Sequence, residues 1–148
     1  MTACQKTKPR ITVAGDIMLD RYFVGDVERL NPEAPGVVIR VDREDLRPGG
    51  AASVAMIASS LGADVTLAGV VGSDVPGSQL QSLLKEHDVA LHLWIAEDRP
   101  TTTKNRFIVR GQLRPDRFDC ETTSEIGGDA VAYLAACPLG DVLLIQDY

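Results

Sequence analysis

Cysteine, histidine and long apolar runs are all scarce in this chain, and each shortage removes a class of function. The three cysteines, Cys4, Cys120 and Cys137, are odd in number and lack CxxC spacing, which argues against a disulfide framework or a cysteine-bound zinc. They read as free thiols. His87 and His92 have no metal-spaced partners and read as surface or packing residues. No apolar run approaches the roughly eighteen residues that a membrane-crossing helix needs. Residues 1–10 are polar, carry Lys6, Lys8 and Arg10, and lack the apolar stretch of a secretory signal. They read as a flexible leader to a cytoplasmic chain. Positive charge is also short: 15 Lys and Arg stand against 21 Asp and Glu, a net charge of −6. A nucleic-acid partner would need a basic face to neutralise phosphates, so any anionic ligand must meet a local basic cluster instead.

What the chain does have is the alternation of an α/β domain. Ile11 to Gly15 and Val37 to Val41 are β-rich runs separated by the turn-forming Asn31, Pro32, Pro35 and Gly36. From Gly50 to Leu61, small and apolar residues recur every three or four positions, and Gly62 follows where a helix takes its left-handed cap. Val65 to Val71 is continuously apolar, as in a parallel strand covered on both faces. A second helix is predicted from Asp74 as N-cap, with Pro76 in its first turn. Leu91, Leu93 and Ile95 alternate with His92 and Trp94, a strand with two unlike faces. Thr101 to Arg110 and Gln112 to Asp119 flank Gly111 and suggest a projecting hairpin. Gly128 to Ala136 is a weak helix, and Val142 to Ile145 a final buried strand. This order implies a mainly parallel sheet covered by helices. The last strand looks interior, yet no covering helix follows it, so the sequence reads as cut.

Several segments together carry a resemblance. AGDIMLDRY at Ala14 to Tyr22, ERLNPEAP at Glu28 to Pro35, RPGGAASVAMIASSLGA at Arg47 to Ala63, GVVGSDVPGSQL at Gly69 to Leu80, TTTKNRF at Thr101 to Phe107 and the closing LIQDY occur in order. The set resembles the ribokinase, or phosphofructokinase B, family of sugar kinases, and within it the bacterial heptose 7-phosphate kinases. The resemblance implies a ribokinase-like α/β fold over residues 11–148, of which this chain is the N-terminal, sugar-binding half. It also implies a small β lid from segments of about 21–47 and 101–119, which often serves as a homodimer clasp.

The residue chemistry agrees with this resemblance. One carboxylate can accept hydrogen bonds from two vicinal sugar hydroxyls, so Asp20, and beside it Asp16, are candidate sugar contacts; the alternative is a turn or cap role. Gly49 and Gly50 lack a Cβ and let backbone N–H groups approach a ligand at a helix start, or simply make a tight turn. Ser53 stands where the family has a sugar-contacting asparagine, and its shorter hydroxyl implies altered sugar binding. Lys104 and Arg106, two residues apart on one strand face, are candidates for a sugar's phosphate or are solvated cations. Arg29 and Glu33 are further candidate contacts. Asp74 and Gly77 read as structural. Gly127-Gly128-Asp129 superficially matches the family's catalytic Gly-x-Gly-Asp but precedes LIQDY, so the expected catalytic Asp lies beyond Tyr148 and Asp129 reads as a helix-start residue.

The implied activity is ATP-dependent, Mg2+-assisted phosphorylation of D-glycero-beta-D-manno-heptose 7-phosphate at its anomeric hydroxyl, supplying ADP-heptose for the lipopolysaccharide core. A second chain or segment would supply the catalytic half. The alternatives are a non-catalytic carbohydrate-binding or dimerisation module and a ribokinase-family kinase for another sugar.

Overall fold

The computed structural model describes residues 7–33, 35–110 and 112–147, with side chains throughout except at 112–116. Two four-stranded sheets share the chain. The first joins β1 (Arg10–Gly15), β4 (Asp64–Gly72), β5 (Ala90–Ala96) and β8 (Val142–Gln146) in the order β5-β4-β1-β8, every pairing parallel. The second joins β2 (Ile17–Leu30), β3 (Val37–Gly50), β6 (Thr102–Val109) and β7 (Gln112–Cys120) in the order β3-β2-β6-β7. Its outer pairs are antiparallel and its central β2/β6 pair is parallel. The helices among the described residues are α1 (Ala51–Ser60), α2 (Val75–Glu86) and α3 (Gly128–Ala135).

The core lies where α1 and α2 cover one face of the parallel sheet. Val13, Val65, Leu67 and Leu93 from the strands meet Ala51, Ala52, Ala55, Leu80 and Leu84 from the helices. Three alanines on the buried face of α1 carry almost no side-chain volume, so the helix backbone can approach the sheet closely. The apolar run in β4 is buried as its continuity predicts. The two unlike faces of β5 are also explained: Leu91 and Leu93 join the α1/α2 core, while His92 and Trp94 meet α3. The His92 ring stacks on Tyr133 at 4.3 Å, its Nε2 lies 2.8 Å from the Tyr133 carbonyl oxygen, and Trp94 packs at 5.7 Å from the same ring.

The turn-forming Asn31 to Gly36 separate two strands, both longer than the β-rich runs on either side of them: β2 begins at Ile17, and β3 runs nine residues beyond Val41. The expected buried strand, Val142 to Ile145, is an edge strand here, with side chains 46%, 46%, 38% and 73% exposed in chain order. Among the described residues it pairs with β1 alone, and neither α1 nor α2 is packed over it. Of the three cysteines, Cys137 is buried and Cys120 exposed, and both are free thiols; Cys4 lies outside the described residues. Burial pushes the Cys137 thiol above its ordinary value.

Candidate functional site

The two sheets are joined at Asp16, between β1 and β2. Its N–H donates to the Gln146 carbonyl at 2.9 Å, and its own carbonyl accepts from the N–H of Ala51, the first residue of α1, at 2.8 Å. Gly50 makes the second bond possible. It sits at φ +56°, and a Cβ there would come within 2.3 Å of the Asp16 oxygen. At that point the chain winds from β1 towards β4 and β5 on one side and returns through β8 on the other. Open α/β sheets form ligand crevices at such a reversal, beyond the carboxyl ends of the strands. A cleft of about 720 Å³ opens there, lined among others by Gly15, Asp16, Met18, Gly69, Arg99, Lys104 and Asp147.

One face of the second sheet continues outward from this cleft. Side chains directly opposite on paired strands share a face, so the register defines successive rows. The first row is Met18 with Gly49 and Thr102; the second is Asp20 with Arg47 and Lys104; the third is Tyr22 with Asp45 and Arg106. Asp20 is a half-buried carboxylate, and Arg106 Nη1 donates a hydrogen bond to its Oδ1. That hydrogen bond pushes the Arg106 guanidinium above its ordinary value, with burial opposing. Gly49 provides the space: a Cβ at that position would lie 2.7 Å from Asp20 Oδ2. The Tyr22 ring carries the Arg47 guanidinium 4.7 Å from its centroid and the Arg106 guanidinium 5.4 Å away.

The opposite face divides in two. Near the parallel sheet it is buried, with Leu19, Thr103 and Asn105 at no more than 3% exposure. Farther out, Phe23, Phe107 and Phe118 cluster with ring centroids 5.6 to 6.4 Å apart.

The structure therefore brings Asp16, Asp20, Gly49, Gly50, Lys104 and Arg106 around one cleft and its outward face. Ser53 follows on the first turn of α1 and is half-buried. Arg29 and Glu33 are not part of this constellation. They are exposed at the far end of β2 and in the turn after it, and Arg29 is nine residues from Asp20, on the order of 30 Å along an extended strand. Arg110, at φ +52° beyond the end of β6, does not continue the Lys104 and Arg106 strand face. Asp129 is exposed in the first turn of α3 and does not line the cleft. Arg47 and Tyr22 were not singled out from the sequence. Their signal was the register of β2 against β3, which becomes visible only once both are known to be long strands.

Asp74 and Gly77 take the structural role expected of them. Asp74 Oδ1 accepts from the Gly77 N–H at 2.8 Å and the Thr101 hydroxyl at 2.6 Å, and Oδ2 accepts from the Thr101 N–H at 2.8 Å. Burial alone would raise this carboxyl, but the bonds from Thr101 and Gly77 outweigh it and hold Asp74 below its ordinary value.

The profile of the pfkB family carbohydrate kinases matches residues 8–125. This chain belongs to that family. A D-beta-D-heptose 7-phosphate kinase of Bordetella bronchiseptica is 40% identical over 143 residues, covering 95% of this chain and 46% of that protein. The bifunctional protein HldE of Coxiella burnetii is 48% identical over 116 residues, covering 78% of this chain and 24% of its own length. Among solved structures, phosphofructokinase-2 from Escherichia coli in complex with fructose-6-phosphate superposes with a TM-score of 0.67 at 19% identity. The match covers 95% of this chain and 45% of that one. The fold is therefore ribokinase-like, and the chain spans less than half the length of these relatives.

Proposed function

We propose that this chain is the sugar-phosphate-binding part of an ATP-dependent heptose-phosphate kinase, acting on D-glycero-beta-D-manno-heptose 7-phosphate at its anomeric hydroxyl in the route to ADP-heptose. The observation that carries this reading is the Asp20 carboxylate, which is seated against the bare backbone of Gly49 on a sheet face that also bears Arg47, Lys104 and Arg106. A carboxylate accepts from two vicinal hydroxyls, and the cations beside it suit a substrate that already carries a phosphate. The identity to named heptose-phosphate kinases supports the choice of sugar.

On this reading Asp20 and Asp16 orient the sugar, Gly49 and Gly50 let it approach the backbone, and Ser53 contacts it through a shorter group than an amide. The second sheet acts as a lid over the cleft. Phe118, 52% exposed beside Phe23 and Phe107, supports a homodimer built through that lid. Bound ATP would supply the transferred phosphoryl group. Mg2+ would arrive on the nucleotide phosphates, where one or two carboxylates suffice to hold it; among the described residues no cluster of three or more His, Cys, Asp or Glu is placed to hold a metal ion by itself. This part of the protein binds and positions the acceptor.

Calorimetric titration with heptose 7-phosphate, fructose 6-phosphate and ribose tests the reading. The heptose phosphate should bind the most tightly of the three. Preference for ribose, or heat from none of them, would overturn it.

A further inference from the structure

On the proposed reading, two arginines compete for the part of phosphate ligand, and the geometry separates them. Arg106 is largely enclosed, its side chain 21% exposed, and its guanidinium is already engaged by Asp20. Arg47 is exposed. Its backbone lies opposite Asp20 in the ladder, yet its guanidinium lies over the Tyr22 ring, 4.7 Å from the centroid. Since Tyr22 is two residues along β2 from Asp20, the guanidinium is carried one row outward, a step of about 7 Å on an extended strand. A planar cation resting on an aromatic face is held in place without consuming its N–H donors, which point outward from its edge. Such an arginine is ready to form a bidentate contact with phosphate oxygens.

We propose that Arg47, supported by Tyr22, is the residue that reads the phosphate of the sugar substrate, and that Arg106 is a positioning residue that sets the Asp20 carboxylate for the sugar hydroxyls. The proposal rests on the sugar-phosphate reading above and assigns its specificity to a side chain that the motif resemblance did not single out. It predicts a clean division of effects. Losing Arg47 should affect only a phosphorylated ligand, whereas losing Arg106 should affect any ligand whose hydroxyls Asp20 holds.

The test is calorimetric titration of the 148-residue chain with heptose 7-phosphate and with the same heptose lacking phosphate, with unfolding midpoints recorded for every variant. Arg47→Gln should weaken the phosphorylated sugar about ten- to a hundredfold, as expected for lost charge-assisted bonds, and leave the free heptose unchanged. Tyr22→Leu, which keeps the arginine but removes its platform, should reproduce part of that selective loss. Arg106→Gln should weaken both sugars by the same factor and add nothing once Asp20→Asn is present, with Arg106→Lys restoring part of the loss. Equal loss of both sugars in Arg47→Gln, or no loss, overturns the role of Arg47. A loss in Arg106→Gln confined to the phosphorylated sugar overturns the positioning role. In both cases intact wild-type binding leaves the proposed function standing. Failure of the wild-type chain to bind either sugar overturns that function and this inference with it.

Discussion

Asp20 has a different neighbour on each side: Gly49 against its carboxylate, Lys104 opposite it on β6 and Arg106 hydrogen-bonded to it. Replacing it with alanine should weaken heptose 7-phosphate binding by roughly 1.5–3 kcal/mol, the range for hydrogen bonds to a charged group. The unfolding midpoint should move little, because the Arg106 guanidinium left behind retains partial access to water. Calorimetry and a thermal melt on the same sample check both halves. Gly50 is the opposite case. Alanine there would be strained at φ +56° and would meet the Asp16 carbonyl, so Gly50→Ala should cost at least about 1–2 kcal/mol in a urea titration. At this scale the family-like segments put forward Asp16, Asp20 and the glycine pair, which the structure brings near one cleft. Arg47 did not stand out, because an arginine beside Pro48 in a charged stretch looks like any solvated cation until its cross-strand partners are known.

The element that ties the two sheets together away from the cleft is the N-terminus of α2. Asp74 caps the helix and also holds Thr101, the residue before β6, while the Thr101 hydroxyl accepts from Gly72 N–H at the end of β4 at 2.9 Å. Asp74→Ala should therefore cost about 1–2 kcal/mol as a lost cap. The pH dependence has a definite sign. The folded-state carboxyl is held below its ordinary 3.8, so its contribution is fully present above that value and is lost as pH falls through the lower folded value. Urea midpoints for wild type and Asp74→Ala should differ by a constant amount at neutral pH and converge under acid conditions; a gap that persists in strong acid would contradict this origin. The sequence showed this cap plainly, since Asp, Pro and Gly fall at set positions of a helix start. The β lid over about 21–47 came only from the family resemblance; residue alternation did not show β2 or the full length of β3. In IMLDRYFVGDVERL both faces are mixed, because one carries Asp20 and Tyr22 and the other Leu19, Arg21 and Phe23. Alternation identifies a strand only when one face is apolar and the other polar.

For the whole molecule, the parallel sheet was read from its continuous apolar runs, β8 among them. Val142 to Ile145 has the composition of an interior strand, but composition does not reveal which neighbours are present, and here all four side chains are exposed. An exposed apolar edge strand pairs readily with another. The 148-residue chain should therefore self-associate as its concentration rises, and Ile145→Lys should delay this in sedimentation velocity; an unchanged profile would locate the association elsewhere, with the Phe118 face the next candidate. The central claim is that the cleft at Asp16 and the sheet face beyond it bind a phosphorylated sugar. Amide shift mapping of the isotope-labelled chain during titration with heptose 7-phosphate tests it most directly. The predicted result is saturable shifts at Asp16, Asp20, Tyr22, Arg47, Gly49, Gly50, Ser53 and residues 104–106, with the first turn of α3 around Asp129 and the far end of β2 unmoved. Shifts gathered on α3 around Asp129, or none at saturating sugar, would contradict it.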